Sequence, residues 1–299
     1  MKLFFIVNPI SGGVDKEPFL TEARALCELY GLQFEIFKTT GKDDKKNALE
    51  RIHSFQPDKV ISVGGDGTTL FTATTLLDTG YPMGIIPLGS ANGMATELFV
   101  DPHPMNALVD IILSDKIGDL DLLLINGEHH ALHVGDVGIN AQIVESYDKD
   151  SKRGMTTYAK YFLDELHKLE PFLVKVETEE GSYNGKVLMT ALCNARKYGT
   201  GVPLNTTGNP MDGKFEIVLL EKLDLPLLIR AGLASLNDKY LDSQKSKVIT
   251  ATKARIEFDK PRLLQLDGEV IQEFDAIDVE ILRGAARLIT TSRNKCLQD

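Results

Sequence analysis

The first third of the chain alternates short apolar runs with amphipathic stretches. Lys2–Val7, Val60–Val63 and Met83–Leu88 are almost continuously apolar, which predicts strands covered on both faces. Leu32, Phe34 and Ile36 alternate with Gln33 and Glu35, predicting one more strand. Between these runs the period lengthens. Over Pro18–Tyr30, the residues Phe19, Leu20, Ala23, Leu26, Cys27 and Tyr30 share one helical face, and Gly31 stands where a C-cap belongs. Over Asp43–Phe55 the inward set is Ala48, Leu49, Ile52 and Phe55. Further helices are expected from the Gly64–Thr68 turn to about Leu77, and over Pro104–Leu113. Strands alternating with helices predict a parallel sheet with helices on both faces.

From about Ile117 the pattern changes. Strand-like runs follow one another at Leu120–Ile125, Ala131–Val134, Phe172–Thr178, Lys186–Cys193, Phe215–Leu220, Val248–Phe258, Arg262–Leu266 and Ala276–Leu282. Asn126-Gly127, Asn184-Gly185, Asp212-Gly213 and Asp267-Gly268 supply turns between several of them. An antiparallel β domain is therefore expected, with a boundary near residue 120. Two helical stretches interrupt it. Lys152–Glu170 carries Met155, Tyr158, Ala159, Phe162, Leu166 and Leu169 on one stripe, and Leu225–Leu236 is apolar almost all round. Both suit core packing, or the walls of an apolar pocket.

Composition narrows the function. The 299 residues carry a net charge of −10, which argues against non-specific nucleic-acid binding, since that needs a basic field, and no nucleic-acid partner is expected. The three cysteines, Cys27, Cys193 and Cys296, are far apart and form no CxxC, so neither a disulfide framework nor a zinc site is indicated. A reducing cytoplasm fits best. No apolar run approaches the roughly 20 residues of a membrane span, so a soluble protein is expected.

The candidate chemistry lies in three glycine-rich turns, each at the carboxyl end of an expected strand: residues 8–13, 64–68 and 87–93. In Gly64-Gly65-Asp66-Gly67-Thr68-Thr69 the glycines remove every Cβ that would block a ligand, and the helix that follows aims its free N–H groups at the turn. That arrangement suits a phosphate. No GxxxxGK[ST] is present, so charge must be neutralised by something other than a P-loop lysine. Ligands of open parallel sheets bind beyond the carboxyl ends of the strands, and three turns meeting on one edge say more than any one of them. Blander roles compete at every position. Asp66 could cap the helix that follows it. Asp212-Gly213 and Asp267-Gly268 could be hairpin turns only. His129 and His133 would share a strand face, yet no carboxylate is spaced to complete a metal site with them, and solvated or packing histidines are expected. Lys42, Lys45 and Lys46 read as a solvated helix face.

Five motifs in order resemble the diacylglycerol kinase catalytic-domain family, soluble bacterial lipid kinases related to sphingosine and ceramide kinases. They are Asn8-Pro9-Ile10-Ser11-Gly12-Gly13, Gly64-Gly65-Asp66-Gly67-Thr68 (shared with NAD kinases), Ile86-Pro87-Leu88-Gly89-Ser90-Ala91-Asn92, Met211-Asp212-Gly213-Lys214-Phe215 and Leu266-Asp267-Gly268-Glu269. The resemblance implies an α/β nucleotide-binding domain over 1–120, joined by a returning segment at about 288–299, and a β-sandwich substrate domain over 121–287. It implies ATP- and Mg²⁺-dependent transfer of a γ-phosphate to a lipid hydroxyl taken at or from the membrane surface. The implied nucleotide contacts are Asn8, Pro9, Ser11, Gly12, Thr39, Gly64, Gly65, Asp66, Gly67, Thr68, Gly89, Ser90 and Asn92. Glu269 matches the general base and Asp66 a second catalytic carboxylate. Asp212 matches a magnesium site, with carbonyls of Asn209 and Lys214, and Asp121 matches a member of a polar network. Gly93 stands where many members have Asp, and Gly13 where a lysine often follows. An NAD-kinase-like enzyme, a non-catalytic nucleotide- or lipid-binding protein and a homodimer stay open as alternatives.

Overall fold

The computed structural model describes residues 1–138, 170–196, 205, 208–222 and 246–297. The expected helix over 152–170, apart from Glu170, and the one over 225–236 lie outside the described residues. The chain forms two compact units: Met1–Asp121 with Arg283–Asp299, and Leu122–Leu282.

The first unit is a parallel sheet. Its strands are β1 (Lys2–Val7), β2 (Gln33–Lys38), β3 (Lys59–Gly64) and β4 (Pro82–Pro87), in the order β4-β3-β1-β2. The tail of a later strand, β14 (Glu269–Thr290), adds to β4 in parallel, with Arg287 opposite Pro82 and Leu288 opposite Met83. Leu3–Val7 and Val60–Val63 are at most 1% exposed, as expected of runs that are apolar apart from Ser62. The helices are α1 (Glu17–Leu29), α2 (Asp44–Phe55), α3 (Asp66–Thr75), α4 (Gly93–Glu97) and α5 (Pro104–Leu113). Leu3, Phe5 and Val7 pack with Phe19, Leu20 and Ala23 of α1 and Leu108 and Ile111 of α5. Phe4, which points the other way, meets Phe55 of α2 at 6.3 Å between ring centroids.

The second unit is antiparallel. After β5 (Lys116–Ile125) come β6 (His129–Ala131), β7 (Val134–Val137), β8 (Phe172–Thr178), β9 (Ser182–Val187), β10 (Met189–Cys193), β11 (Phe215–Leu220), β12 (Ser246–Ala251) and β13 (Lys253–Leu266). β12, β11, β10 and β7 pair in that order, and β7 meets the end of β13 through Leu264–Leu266. The first half of β13, Ala254–Phe258, pairs instead with β8. An irregularity between Glu257 and Arg262 lets one strand serve both layers. Between the layers lie Phe172, Val174, Phe215, Ile217, Ile256, Leu264 and Leu266.

Several strands differ from the expected ones for local reasons. The run Ala131–Val134 is split, because Leu132 and His133 leave the ladder and turn their N–H groups to the Asp267 carboxylate. Val248–Phe258 breaks at Thr252, whose carbonyl accepts from the Ile281 N–H. Ala276–Leu282 is only the middle of β14.

Candidate active site

Parallel pairing in register fixes the first half of the site. Val7 lies beside Val63, and Gly64 beside Pro87, so β1, β3 and β4 end on one edge and their turns adjoin. The Asn8 N–H donates to the Val63 carbonyl (3.2 Å), and the Leu88 N–H to the Gly64 carbonyl (2.8 Å). The Gly65 N–H donates to Ser11 Oγ at 3.0 Å. Glycine is required at two of these contacts. A Cβ on Gly12 would stand 2.8 Å from the Gly89 carbonyl carbon, and one on Gly89 2.3 Å from the Gly65 Cα. Asn92, at φ +52°, folds its amide back on Gly89, accepting from the N–H (2.8 Å) and donating to the carbonyl (3.0 Å).

Asp66 does not cap α3, whose first residue it is. Its carboxylate accepts from the N–H groups of Gly93 (2.9 Å) and Met94 (2.8 Å), and so caps α4 in the third turn. Gly93, standing where an acidic residue is common in the resembling family, supplies one of those donors.

Beside these turns is a cavity of about 390 Å³, lined by Asn8, Pro9, Ile10, Thr39, Thr40, Gly41, Asp44, Gly67, Thr68 and Phe71. The Thr68 hydroxyl is buried without a hydrogen-bond partner. The N–H groups of Asp66 and Gly67, in the first turn of α3, have no helical carbonyl to reach. Thr39 closes the neighbouring edge through its N–H to the Val7 carbonyl (2.9 Å). Asp44 orders the next turn, accepting from the Thr40 N–H (2.9 Å), the Gly41 N–H (2.6 Å) and the Thr40 hydroxyl (3.0 Å). Burial raises the Asp44 carboxyl, but these donors outweigh it and hold the group below its ordinary value.

The second unit carries Glu269 on a two-residue hairpin. Leu266 pairs with Glu269 across Asp267 and Gly268, at φ +48° and +91°, the geometry that Asp-Gly favours. Asp267 is partly exposed as a residue, yet its carboxylate is turned inward. It accepts from the N–H groups of Leu132 (2.6 Å), His133 (2.9 Å) and Val134 (3.0 Å). Burial pushes its acidity to higher pH, against the pull of these amides and of His133. The Asp267 bonds thus fix the hairpin from which Glu269 projects to the surface.

The loop carrying Asn209, Asp212 and Lys214 is a turn with Gly213 at φ +74°. The Met211 N–H donates to Asn209 Oδ1 (3.1 Å), and the Lys214 N–H to Asp212 Oδ1 (2.9 Å). The expected magnesium donors are all hard oxygens, which that ion prefers. Among the described residues no group of three His, Cys, Asp or Glu could hold a metal ion; the expected set has one carboxylate with carbonyls. Nearby, Glu216 is 3% exposed and accepts from Asn205 Nδ2 at 2.6 Å. Burial, then the Asp212 charge, pushes its carboxyl up to about 7. The Asp212 share of that rise is one that a cation beside Asp212 would relieve.

The structure thus brings Asn8, Pro9, Ser11, Gly12, Thr39, Gly64, Gly65, Asp66, Gly67, Thr68, Gly89, Ser90 and Asn92 to one edge of the first unit, while Glu269, Asp212, Asn209 and Lys214 belong to the second. Asp121 is buried in the first unit and accepts from the Gly284 N–H (2.7 Å). The histidines take packing roles. His129 meets the Phe274 ring edge-on at 6.2 Å, and His133 is buried. Asp44, Phe71 and the buried Lys16 escape motif reading; the only sequence signal for Asp44 is its place at the start of α2, after Thr39-Thr40-Gly41.

Comparisons with known proteins give the family and the fold. Residues 2–125 match the model of the diacylglycerol kinase catalytic domain, and residues 134–290 that of the YegS C-terminal NAD kinase beta sandwich-like domain. The chain belongs to the lipid kinase family that these two domains define. It is 24% identical over 270 residues to "Diacylglycerol kinase" of Bacillus subtilis, covering 88% of each chain. It is 26% identical over 273 residues to "Probable lipid kinase YegS-like" of Pectobacterium atrosepticum, again covering 88% of each. A solved diacylglycerol kinase structure from Bacillus anthracis shares the fold, with a TM-score of 0.74 at 20% identity over 98% of both chains.

Proposed function

We propose that this lipid kinase transfers the γ-phosphate of ATP to the hydroxyl of a diacylglycerol- or sphingoid-like lipid taken at or from the membrane surface, in the cytoplasm and with Mg²⁺. The observation that carries the nucleotide half is the cavity at the converging turns, beside the open N–H groups of α3. The phosphates lie on Gly64–Thr68, flanked by Asn8–Gly12, Thr39 and Gly89–Asn92. Asp66 accepts one N–H of α4 on each oxygen, which leaves each oxygen further acceptor capacity that a nucleotide-bound cation would use.

Glu269 acts as the general base. Its carboxylate takes the proton of the acceptor hydroxyl as that oxygen bonds to the γ-phosphorus, while the bond from phosphorus to the β–γ bridging oxygen breaks and ADP leaves. Asp212, with the carbonyls of Asn209 and Lys214, would hold Mg²⁺, which supplies charge neutralisation when bound. Support comes from the all-oxygen donor set and from the Asp212 charge, which adds to burial in raising Glu216.

The experiment is a radiolabel transfer assay with diacylglycerol, ceramide, sphingosine and NAD as acceptors. The proposal expects label in a lipid, with Glu269→Gln lowering kcat about 10²- to 10⁴-fold at unchanged nucleotide affinity. Label in NAD alone would overturn the lipid acceptor. Wild-type turnover in both Asp66→Ala and Glu269→Gln would remove these carboxylates from the mechanism.

A further inference from the structure

Among the described residues, the cavity proposed to take a triphosphate has no cation on its lining, and the one charged group there is the carboxylate of Asp44. The first turn also offers few free donors, because its N–H groups are used internally. Ile10 donates to Asn8 Oδ1, Ser11 to the Asn8 carbonyl and Gly13 to the Ile10 carbonyl. Apart from a cation bound with the nucleotide, positive charge for a polyanion can come from behind the lining.

A cation lies there. Lys16, at the N-cap of α1, is 3% exposed. Its ammonium reaches back under the turn and donates to the carbonyls of Ser11 (2.5 Å) and Val14 (2.7 Å). Among the described residues no carboxylate oxygen comes within 4.0 Å of it. Burying an ammonium without a counter-ion is costly. Clasping two carbonyls does not require a charge, since a neutral donor would do so with less desolvation. Lys16 is also linked to the cradle by bonds already described. Its acceptor Ser11 takes the Gly65 N–H on its hydroxyl, and Gly65 packs on Gly89.

We infer that Lys16 is a phosphate-positioning residue: its buried ammonium sets the first turn and supplies, through that turn, the positive charge that the cradle lacks. The inference rests on the nucleotide reading above. Burial lowers the ammonium's proton affinity against the pull of neighbouring Asp15, a cost that an anion on the far side of the turn would offset.

The test is calorimetric binding of ATP and ADP with Mg²⁺, and of AMP and adenosine, to the full-length protein and two variants. Lys16→Gln keeps a donor without charge, and Lys16→Arg keeps the charge. In Lys16→Gln, ATP affinity is expected to fall about tenfold, ADP affinity less, and adenosine affinity to stay within twofold. Lys16→Arg should retain most of the ATP affinity, and KM for ATP should move in Lys16→Gln with kcat nearly unchanged. An equal loss across all four ligands would reduce Lys16 to a structural clasp and overturn the inference, as would ATP binding in Lys16→Gln within twofold of wild type. If Lys16→Gln fails to fold, Lys16→Arg decides: losing the phosphate-graded affinity while folded overturns the inference, and keeping it supports it. A wild-type protein that binds none of the four defeats the nucleotide reading itself, and this inference with it.

Discussion

At the scale of single residues, two glycines of the same edge should fail in opposite ways. A Cβ on Gly89 meets the Gly65 Cα at 2.3 Å, backbone against backbone, with nothing flexible to yield. A Cβ on Gly67 meets nothing within 4 Å, because it points into open space beside the cavity lining. Gly89→Ala is therefore expected to lower the melting temperature and spread the turns. Gly67→Ala should melt like wild type and lose nucleotide affinity; equal melting temperatures for the two variants would contradict the close approach. Glu216 gives a pH prediction for the metal-free protein. Its folded value, about 7, lies above its ordinary value of 4.5, so the folded state holds the proton more tightly than the unfolded chain. Its contribution to stability is fully present below pH 4.5 and is lost as pH rises toward 7, by on the order of 3 kcal/mol. Chemical denaturation in EDTA should show that slope in wild type and a flatter profile in Glu216→Gln. Matching slopes would mean that another group titrates there.

At the scale of elements, what could be read from sequence was what is local. The apolar runs of β1, β3 and β4 and the amphipathic faces of α1 and α2 are short-range patterns, and each appears within a residue or two of its expected place. The glycine turns were legible for the same reason. The partner of Asp66 was not, since Gly93 is 27 residues away and only the folded sheet brings it near. The reach of β14 was hidden too, because Arg283, Gly284 and Ala285 interrupt the alternation that marks its centre. Lys59 is a further case. It reads as the polar start of a strand, yet its ammonium donates to the carbonyls of Ile111 (2.8 Å), Ile112 (3.2 Å) and Ser114 (2.9 Å). Three acceptors at the carboxyl end of α5 make it a cap supplied from another element. Lys59→Met should cost about 1–3 kcal/mol in denaturant unfolding with no change in KM for ATP. A variant as stable as wild type would show that water satisfies those carbonyls equally well.

At the scale of the whole molecule, the first unit is discontinuous, and its last piece arrives after the sandwich has been made. Arg283–Asp299 contributes Leu288 and Ile289, 0% and 4% exposed, to the edge of β4 and the core beneath it. The Ser114 hydroxyl donates to the Thr290 carbonyl, and Asp121 accepts from Gly284. Arg293 forms ion pairs with Asp101 (3.3 Å) and Asp110, both flanking or within α5. Exposed pairs of this kind contribute little, so the apolar contacts carry the attachment. Burial of two large aliphatic side chains is worth about 3–6 kcal/mol, and removing them also uncovers Met83 and Ile111. That loss is of the same order as the roughly 5–15 kcal/mol by which domains are stable. A chain ending at Leu282 should therefore lose the cooperative unfolding of the first unit, and with it nucleotide binding, while the sandwich, which keeps Leu122–Leu282 whole, still melts as a unit. Leu288→Ala in the full chain should show the same weakness in milder form, about 2–5 kcal/mol. Calorimetry on both variants decides the matter, because a truncated protein in which the first unit still unfolds cooperatively at the wild-type temperature would show that Met1–Asp121 is sufficient by itself.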